Sequence, residues 1–202
     1  MFRCLNVGVN EIVVNKSRFL AYSTLAESRD DAKAFADKLR GEHAEARHVC
    51  YAFIADESGD CFGYDDDGEP NGTAGKPIYS ALAASGARRS AIAVVRYFGG
   101  IKLGAGGLAR AYRQSAAELI EKVGLTSAEK YAEYAVECDG ETYKRISRAL
   151  HGTRCAIENI VYGEKVCFSV LAPSESGAVE KLTALGADPA VKCERYVYTE
   201  AR

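Results

Sequence analysis

Apolar residues in the first 124 positions follow the two periods that strands and helices impose. Short alternating or continuously apolar stretches predict strands at Glu11–Val14, Arg18–Thr24, Val49–Ala55 and Ala91–Tyr97. Apolar residues spaced three or four apart predict a helix that Ser28 caps and Gly41 ends, and two further helices that end near Gly86 and at Gly124. The unbroken run Ala91–Tyr97 is typical of a central strand.

The pattern after Gly124–Ala128 predicts the order strand, helix, strand, strand, helix, strand. The strands are predicted at Tyr131–Cys138, Arg154–Tyr162, Lys165–Ala172 and Lys192–Thr199. Tyr143, Ile146 and Leu150 mark the first helix, and Ser174 is predicted to cap the second, which Gly186 ends. This β-α-β-β-α-β order is the ferredoxin-like plan. We therefore predict an α+β protein with two domains, residues 1–124 and 129–202.

The RNA-recognition motif shares this topology, but its aromatic signature on the third strand is missing, because Phe168 is the single aromatic residue there. The chain has 26 basic and 28 acidic residues, so a strongly basic surface is absent from the bulk composition. The N-terminus lacks an apolar signal region and no run approaches the ~20 apolar residues of a membrane span. We expect a cytoplasmic protein without membrane contact.

The seven cysteines show no C-x-x-C spacing, so we interpret them as buried apolar residues in a reducing compartment. The three histidines belong to no H-E-x-x-H motif, and no G-x-S-x-G occurs. His48 is interpreted as structural rather than as a base. We predict no catalytic residues, no metal site and no cofactor.

The first of two unusual loops is Asp65–Pro77, which holds three glycines, two prolines and four acids in thirteen residues. The spacing fails as a calcium-binding EF-hand. A magnesium site using Asp65, Asp67 or Glu69 stays an alternative to a solvated acidic turn. At the following helix start, Thr73 and Lys76 are predicted to meet an anion, and Thr73 also fits as a simple N-cap.

The second loop, Arg96–Arg110, has five glycines among the nine residues from Gly99 to Gly107. It is not a Walker loop, since Ala and Gly stand where Lys and Ser or Thr are needed, and it is a poor dinucleotide fingerprint. Arg110 and Arg113 share a helix face near the helix start and oppose its dipole unless an anion is present. The loop therefore predicts a phosphate-binding surface. An Arg110–Asp67 ion pair is the structural alternative.

These two loops resemble a known family. The segments DDGEPNGTAGKP (Asp66–Pro77) and VVRYFGGIKLGAGGLARAY (Val94–Tyr112) closely resemble the hallmark segments of the IMPACT family, which includes the YigZ-like bacterial proteins. Asn71 stands where serine is common in the family. The motifs mark residues 9–123, and the layout of the second domain agrees.

The resemblance implies a first domain like the second domain of ribosomal protein S5 and domain IV of elongation factor G. It implies a ferredoxin-like second domain resembling domain V of that factor. Eukaryotic members regulate translation through an additional N-terminal domain that binds a partner in the amino-acid starvation response. Because this chain begins directly at the shared domain, the resemblance does not carry that partner function over to it. For the bacterial members, RNA or the ribosome is the expected partner.

The sequence therefore predicts an RNA- or ribosome-binding protein in translation regulation, with an acidic loop (Asp67, Glu69) beside the binding surface. The predicted nucleic-acid or phosphate-binding residues are Thr73, Lys76, Arg96, Tyr97, Phe98, Gly99, Gly100, Lys102, Gly104, Gly106, Gly107, Arg110 and Arg113. The alternative is an enzyme acting on a nucleotide or phosphorylated small molecule, since S5-like kinases hold phosphates on a similar helix start. A third possibility is that the glycines serve only to let the two loops pack against each other.

Overall fold

The computed structural model describes residues 2–200, and the chain folds as two compact units, residues 2–127 and 128–199. Each unit combines helices with antiparallel strand pairs, which confirms the predicted α+β class. Within residues 2–200, none of the helices combines the length and hydropathy that crossing a bilayer requires.

The first unit is built on a five-stranded sheet. In chain order, the elements of this unit are β1 (Phe2–Leu5), β2 (Gly8–Val14), β3 (Ser17–Leu25), α1 (Arg29–Glu42), β4 (His48–Ile54), β5 (Phe62–Asp65), α2 (Gly75–Ser85), β6 (Ser90–Tyr97) and α3 (Gly104–Val123). The sheet order is β2-β3-β6-β4-β5, so the apolar run predicted as a central strand is central. The predicted cap of α1 is also confirmed, since the Ser28 hydroxyl accepts from the N–H of Asp31 at 3.0 Å.

Helices cover both faces of this sheet, which is why β6 is apolar on both sides. Ile92 and Val94 belong to the core cluster formed with α2 and α3, whereas Ala93 and Val95 belong to the cluster formed with α1. Because successive side chains alternate between faces, Arg96 continues the α2/α3 face, and Tyr97 packs with the α1 cluster.

The second unit follows the order β-α-β-β-α-β. Its elements are β7 (Leu125–Cys138), α4 (Gly140–Leu150), β8 (Ala156–Tyr162), β9 (Val166–Pro173), α5 (Ala178–Ala184) and β10 (Ala190–Glu200). β9 lies between β7 and β8, and β10 pairs with the other side of β7. The core joins Val136, Phe168 and Val170 from the sheet to Ile146 and Leu182 from the helices.

Two sequence interpretations are wrong. Ser174 does not cap α5: the N-cap is Gly177, whose left-handed φ of 64° starts the helix later, and the buried Ser174 hydroxyl has no hydrogen-bond partner among the described residues. The cysteines are not all buried, because Cys61, Cys167 and Cys193 are exposed. Cys167 lies in β9 between two buried residues, and strand alternation turns it to the outer face.

Candidate nucleic-acid interface

Asp66, in the first loop, binds the N-terminus of α2. Its Oδ1 accepts hydrogen bonds from the backbone N–H groups of Ala74 and Gly75 at 2.9 and 2.8 Å, and its Oδ2 accepts from Gly72 at 2.7 Å. The first N–H groups of a helix lack partners within the helix and attract anions. A carboxylate of the protein itself therefore occupies the anion position that the sequence predicted for a phosphate.

Thr73 has a different role from either of its predicted ones. The N-cap residue of α2 is Ala74, which makes no side-chain capping bond. The buried Thr73 hydroxyl instead donates to the backbone carbonyl of Pro70 at 2.6 Å. The prediction of Thr73 as N-cap is therefore wrong, because Asp66 already supplies the capping oxygens.

Replacing Asp66 with alanine should lower the free energy of unfolding by about 2 kcal/mol, since three charge-assisted hydrogen bonds are lost at a helix start. Urea unfolding of the full chain measures the change. Asp65→Ala is the matched control, because Asp65 accepts one such bond, from the N–H of Asp67 at 2.7 Å, at an exposed site. Equal losses in the two variants would show that Asp66 does not stabilise α2.

Asp67 holds the loop against α1 and β4. Its Oδ1 pairs with the guanidinium of Arg40 at 2.9 Å, and its Oδ2 accepts from the N–H of Val49 at 2.6 Å. His48 Nδ1 lies 2.7 Å from the backbone carbonyl of Asp67, so this nitrogen carries a proton and donates it. The predicted Arg110–Asp67 ion pair is therefore wrong, because Asp67 pairs with Arg40. The hydrogen bond from His48 to the Asp67 carbonyl agrees with the interpretation of His48 as a structural residue.

Glu69 and Arg96 form a buried ion pair between the first loop and β6. Arg96 Nη1 lies 2.6 Å from Glu69 Oε1, and the two side chains are 7% and 4% exposed. The hydroxyl of Tyr112, on α3, donates to the same oxygen at 2.8 Å. Burial raises the pKa of the Tyr112 hydroxyl and of the neighbouring Cys50 thiol, so both stay protonated and Tyr112 remains a donor to Glu69.

These contacts bear on the magnesium alternative. Asp65, Asp67 and Glu69, the three carboxylates of that alternative, each already accept a hydrogen bond from a protein donor. Among the described residues there is also no cluster of three or more His, Cys, Asp or Glu side chains arranged to hold a metal ion. The carboxylates of this loop bind protein donors and so hold the loop in place.

A cavity of about 370 Å³ opens between the two loops. It is lined by Arg47, His48, Glu69, Pro70, Arg96, Phe98, Lys102, Leu103, Gly104, Ala105 and Leu108. Four of the predicted binding residues, Arg96, Phe98, Lys102 and Gly104, are thus brought together. Arg47 also lines the cavity although no motif in the sequence singles it out, and its guanidinium lies over the Phe98 ring, 5.8 Å from its centroid.

A separate groove of about 410 Å³ lies between α2 and α3. It is lined by Gly72, Lys76, Pro77, Ser80, Ala109, Arg110 and Arg113. Three predicted cations therefore meet here, and the cavity and the groove share no lining residue. Because α3 begins at Gly104, Arg110 and Arg113 lie beyond its first turn, where the helix dipole has little effect.

The remaining predicted residues lie elsewhere. Tyr97 faces α1, and its hydroxyl lies 2.8 Å from Nδ1 of His43, so it lines neither the cavity nor the groove. Gly99 donates its N–H to the Ser17 hydroxyl at 3.1 Å and packs on the β2–β3 turn. Gly100, Gly106 and Gly107 lie around the start of α3 without lining the cavity.

Comparisons with known proteins agree on one family. The Impact N-terminal domain model matches residues 15–120. The chain is 34% identical over 167 residues to the IMPACT family member YvyE of Bacillus subtilis (strain 168), covering 83% of this chain and 77% of that protein. It is 36% identical over 163 residues to the IMPACT family member YigZ of Escherichia coli (strain K12), covering 80% of each. A crystal structure described as that of a hypothetical protein is similar with a TM-score of 0.64 and 29% identity, over 95% of this chain and 97% of the other.

Proposed function

The chain belongs to the IMPACT family, and we propose that it is an RNA- or ribosome-binding protein that acts in translation regulation. The observation that carries the proposal is the groove between α2 and α3. Lys76, Arg110 and Arg113 line it, and no acidic residue does. None of the three cations has an ion pair within residues 2–200. Three converging, unpaired positive charges suit the phosphates of a nucleic-acid backbone.

Aromatic side chains on α2 and on the edge strand β5 favour a single strand as the ligand. Tyr79 lies on α2 three residues after Lys76 and does not itself line the groove. Its ring stacks on Phe62 with centroids 4.9 Å apart, and Tyr64 lies 6.0 Å from it. Phe62 and Tyr64 are 44% and 45% exposed. Unpaired bases stack on such rings, whereas duplex bases are not available to them.

The finer fold names are part of the same proposal. Within the described part of the chain, we assign residues 2–124 to a ribosomal protein S5 domain 2-like fold and residues 129–200 to a ferredoxin-like fold resembling domain V of elongation factor G. The strand order β10-β7-β9-β8 with helices α4 and α5 supports the second assignment. Both folds occur in proteins of the translation apparatus, which is why the ribosome enters the proposal as a partner.

The test is binding of single-stranded RNA and of ribosomes as a function of salt. Three phosphate contacts to a single strand give a slope of about −2 for log affinity against log salt. Raising the salt from about 50 to about 200 mM should then weaken RNA binding about 20-fold. Fluorescence anisotropy with a labelled RNA, and ribosome co-sedimentation, measure the two partners.

The variant Arg110→Ala/Arg113→Ala should reduce the slope to about −0.7, because one phosphate contact remains. Lys33→Ala/Lys38→Ala is the matched control: it removes the same charge from α1, on the opposite face of the sheet, and should leave the slope unchanged. A salt-independent affinity, or equal losses in the two double variants, would refute the groove as the RNA-binding surface.

A further inference from the structure

The lining of the cavity between the two loops has a net positive charge. Arg96 and Glu69 neutralise each other across their 2.6 Å ion pair. Arg47 and Lys102 are exposed, line the same cavity, and have no ion pair among the described residues. The lining therefore keeps two uncompensated positive charges around a mostly apolar wall. A small ligand that matches it carries negative charge.

Arg96 adds a second, independent observation. Its side chain is more than nine-tenths buried, lines the cavity, and leaves Nε without a hydrogen-bond partner in the described part of the chain. A buried charged donor without an acceptor is unfavourable, and natural proteins rarely keep one. This nitrogen has no accessible surface, so a ligand oxygen would reach it only after a shift of the Arg96 side chain toward the cavity.

The start of α3 forms one wall of this cavity. Gly104 and Ala105 line it, the N-cap residue Leu103 makes no side-chain capping bond, and the first turn has no acidic residue. α3 thus differs from α2, whose N-terminal N–H groups are already bound by Asp66. The uncapped N–H groups of α3 and the ammonium of Lys102 are suited to a phosphate.

The rest of the cavity lining is largely apolar. Its apolar part is formed by Phe98, Leu103, Leu108 and Pro70. The Phe98 ring is 41% exposed and has the guanidinium groups of Arg47 and Arg96 at 5.8 and 5.6 Å from its centroid. A flat aromatic ligand can stack against such a ring. The volume of about 370 Å³ lies within the range of small-ligand sites, about 300–1,000 Å³.

We propose that this cavity binds a nucleoside phosphate, with the phosphate at Lys102, Arg47 and the start of α3 and the base beside Phe98. Two sources present this chemistry: a free nucleotide and the 5′-terminal nucleotide of an RNA. The site shares no residue with the groove, so it stands independently of the proposed RNA-binding function.

Titration calorimetry of the full chain with the four nucleoside 5′-monophosphates, and with the matching nucleosides, tests the site. At least one monophosphate should bind, and its nucleoside should bind at least about tenfold more weakly. Lys102→Ala and Arg47→Ala, both at exposed positions, should each weaken the monophosphate about tenfold. Phe98→Leu should weaken it as well. Lys33→Ala, on α1 and outside both the cavity and the groove, is the control and should leave nucleotide affinity unchanged.

RNA oligomers that differ only in a 5′-phosphate or a 5′-hydroxyl separate the two sources. A preference for the 5′-phosphate that Lys102→Ala abolishes would assign the site to RNA ends, whereas equal affinities together with monophosphate binding would assign it to free nucleotides. No binding of any monophosphate at millimolar concentration, or binding that Lys102→Ala and Phe98→Leu leave unchanged, overturns the proposal. Neither result affects the test of the groove, which depends on Arg110 and Arg113.

Discussion

Replacing Glu69 with leucine is expected to lower the free energy of unfolding by about 3–5 kcal/mol. The change leaves the guanidinium of Arg96 buried beside apolar atoms without its carboxylate, and it removes the acceptor of the Tyr112 hydroxyl. A buried charge without a partner is far less stable than the same charge in water. Equilibrium urea unfolding of the full chain, followed by circular dichroism, measures the loss.

An exposed ion pair of the same length is the control. Arg18 Nε lies 2.6 Å from Glu11 Oε1, but the two side chains are 52% and 39% exposed. Because water screens this pair, Glu11→Ala should change the stability by less than about 1 kcal/mol. Equal losses for Glu69→Leu and Glu11→Ala would show that burial does not govern the Glu69–Arg96 pair.

A double-mutant cycle separates the pair from its surroundings. Arg96→Met alone leaves Glu69 buried without its cation, and we expect a loss comparable to that of Glu69→Leu. The double variant Glu69→Leu/Arg96→Met removes both charges, so it should be more stable than either single variant. Strictly additive losses would mean that the two side chains do not stabilise each other.

The spacing of apolar residues predicted most helices and strands, because it depends only on neighbouring residues in the chain. The helices α1 and α3 and the central strand β6 follow from apolar spacing within a single stretch of chain. The short edge strand β5 was missed, since its four residues contain too few alternations to stand out from the loop that follows. Ser174 failed as a cap for a related reason: the left-handed Gly177 decides where α5 begins, and glycine composition alone does not reveal a φ angle.

The predicted binding residues that line a site lie in two places, the cavity and the groove, and this division depends on tertiary structure. Lys76 joins Arg110 and Arg113 because α2 packs beside α3 on one face of the sheet. Arg47 reaches Phe98 because β4 pairs with β6 in the register that sets His48 opposite Arg96. Neither the packing of α2 beside α3 nor the β4–β6 register can be read from the spacing of residues in the sequence. Tyr97, by contrast, could have been separated from Arg96 beforehand, since neighbouring strand residues point to opposite faces.

Gly99→Ala should lower the free energy of unfolding by about 3 kcal/mol, the upper end of the usual loss for an overpacked site. A Cβ at this position would overlap the carbonyl group of Lys16 and the backbone nitrogen of Ser17. The obstacle is backbone, and it belongs to a tight turn in which Asn15 and Lys16 both have positive φ angles of 46° and 66°. Such a two-residue hairpin turn cannot shift without changing the β2–β3 register.

Gly106→Ala is the matched comparison, and its expected effect is opposite in sign. A Cβ there meets Nη1 of the flexible Arg110 side chain at 3.6 Å, an ordinary contact, and the position lies in the first turn of α3. Alanine has a higher helix propensity than glycine, so the free energy of unfolding should stay the same or rise by up to about 1 kcal/mol. The pair therefore tests the idea that the loop glycines serve packing alone. If both variants lose stability, packing accounts for Gly106 as well as for Gly99. If Gly99→Ala alone does, packing does not explain the open helix start around Gly106, which stays available to an anion.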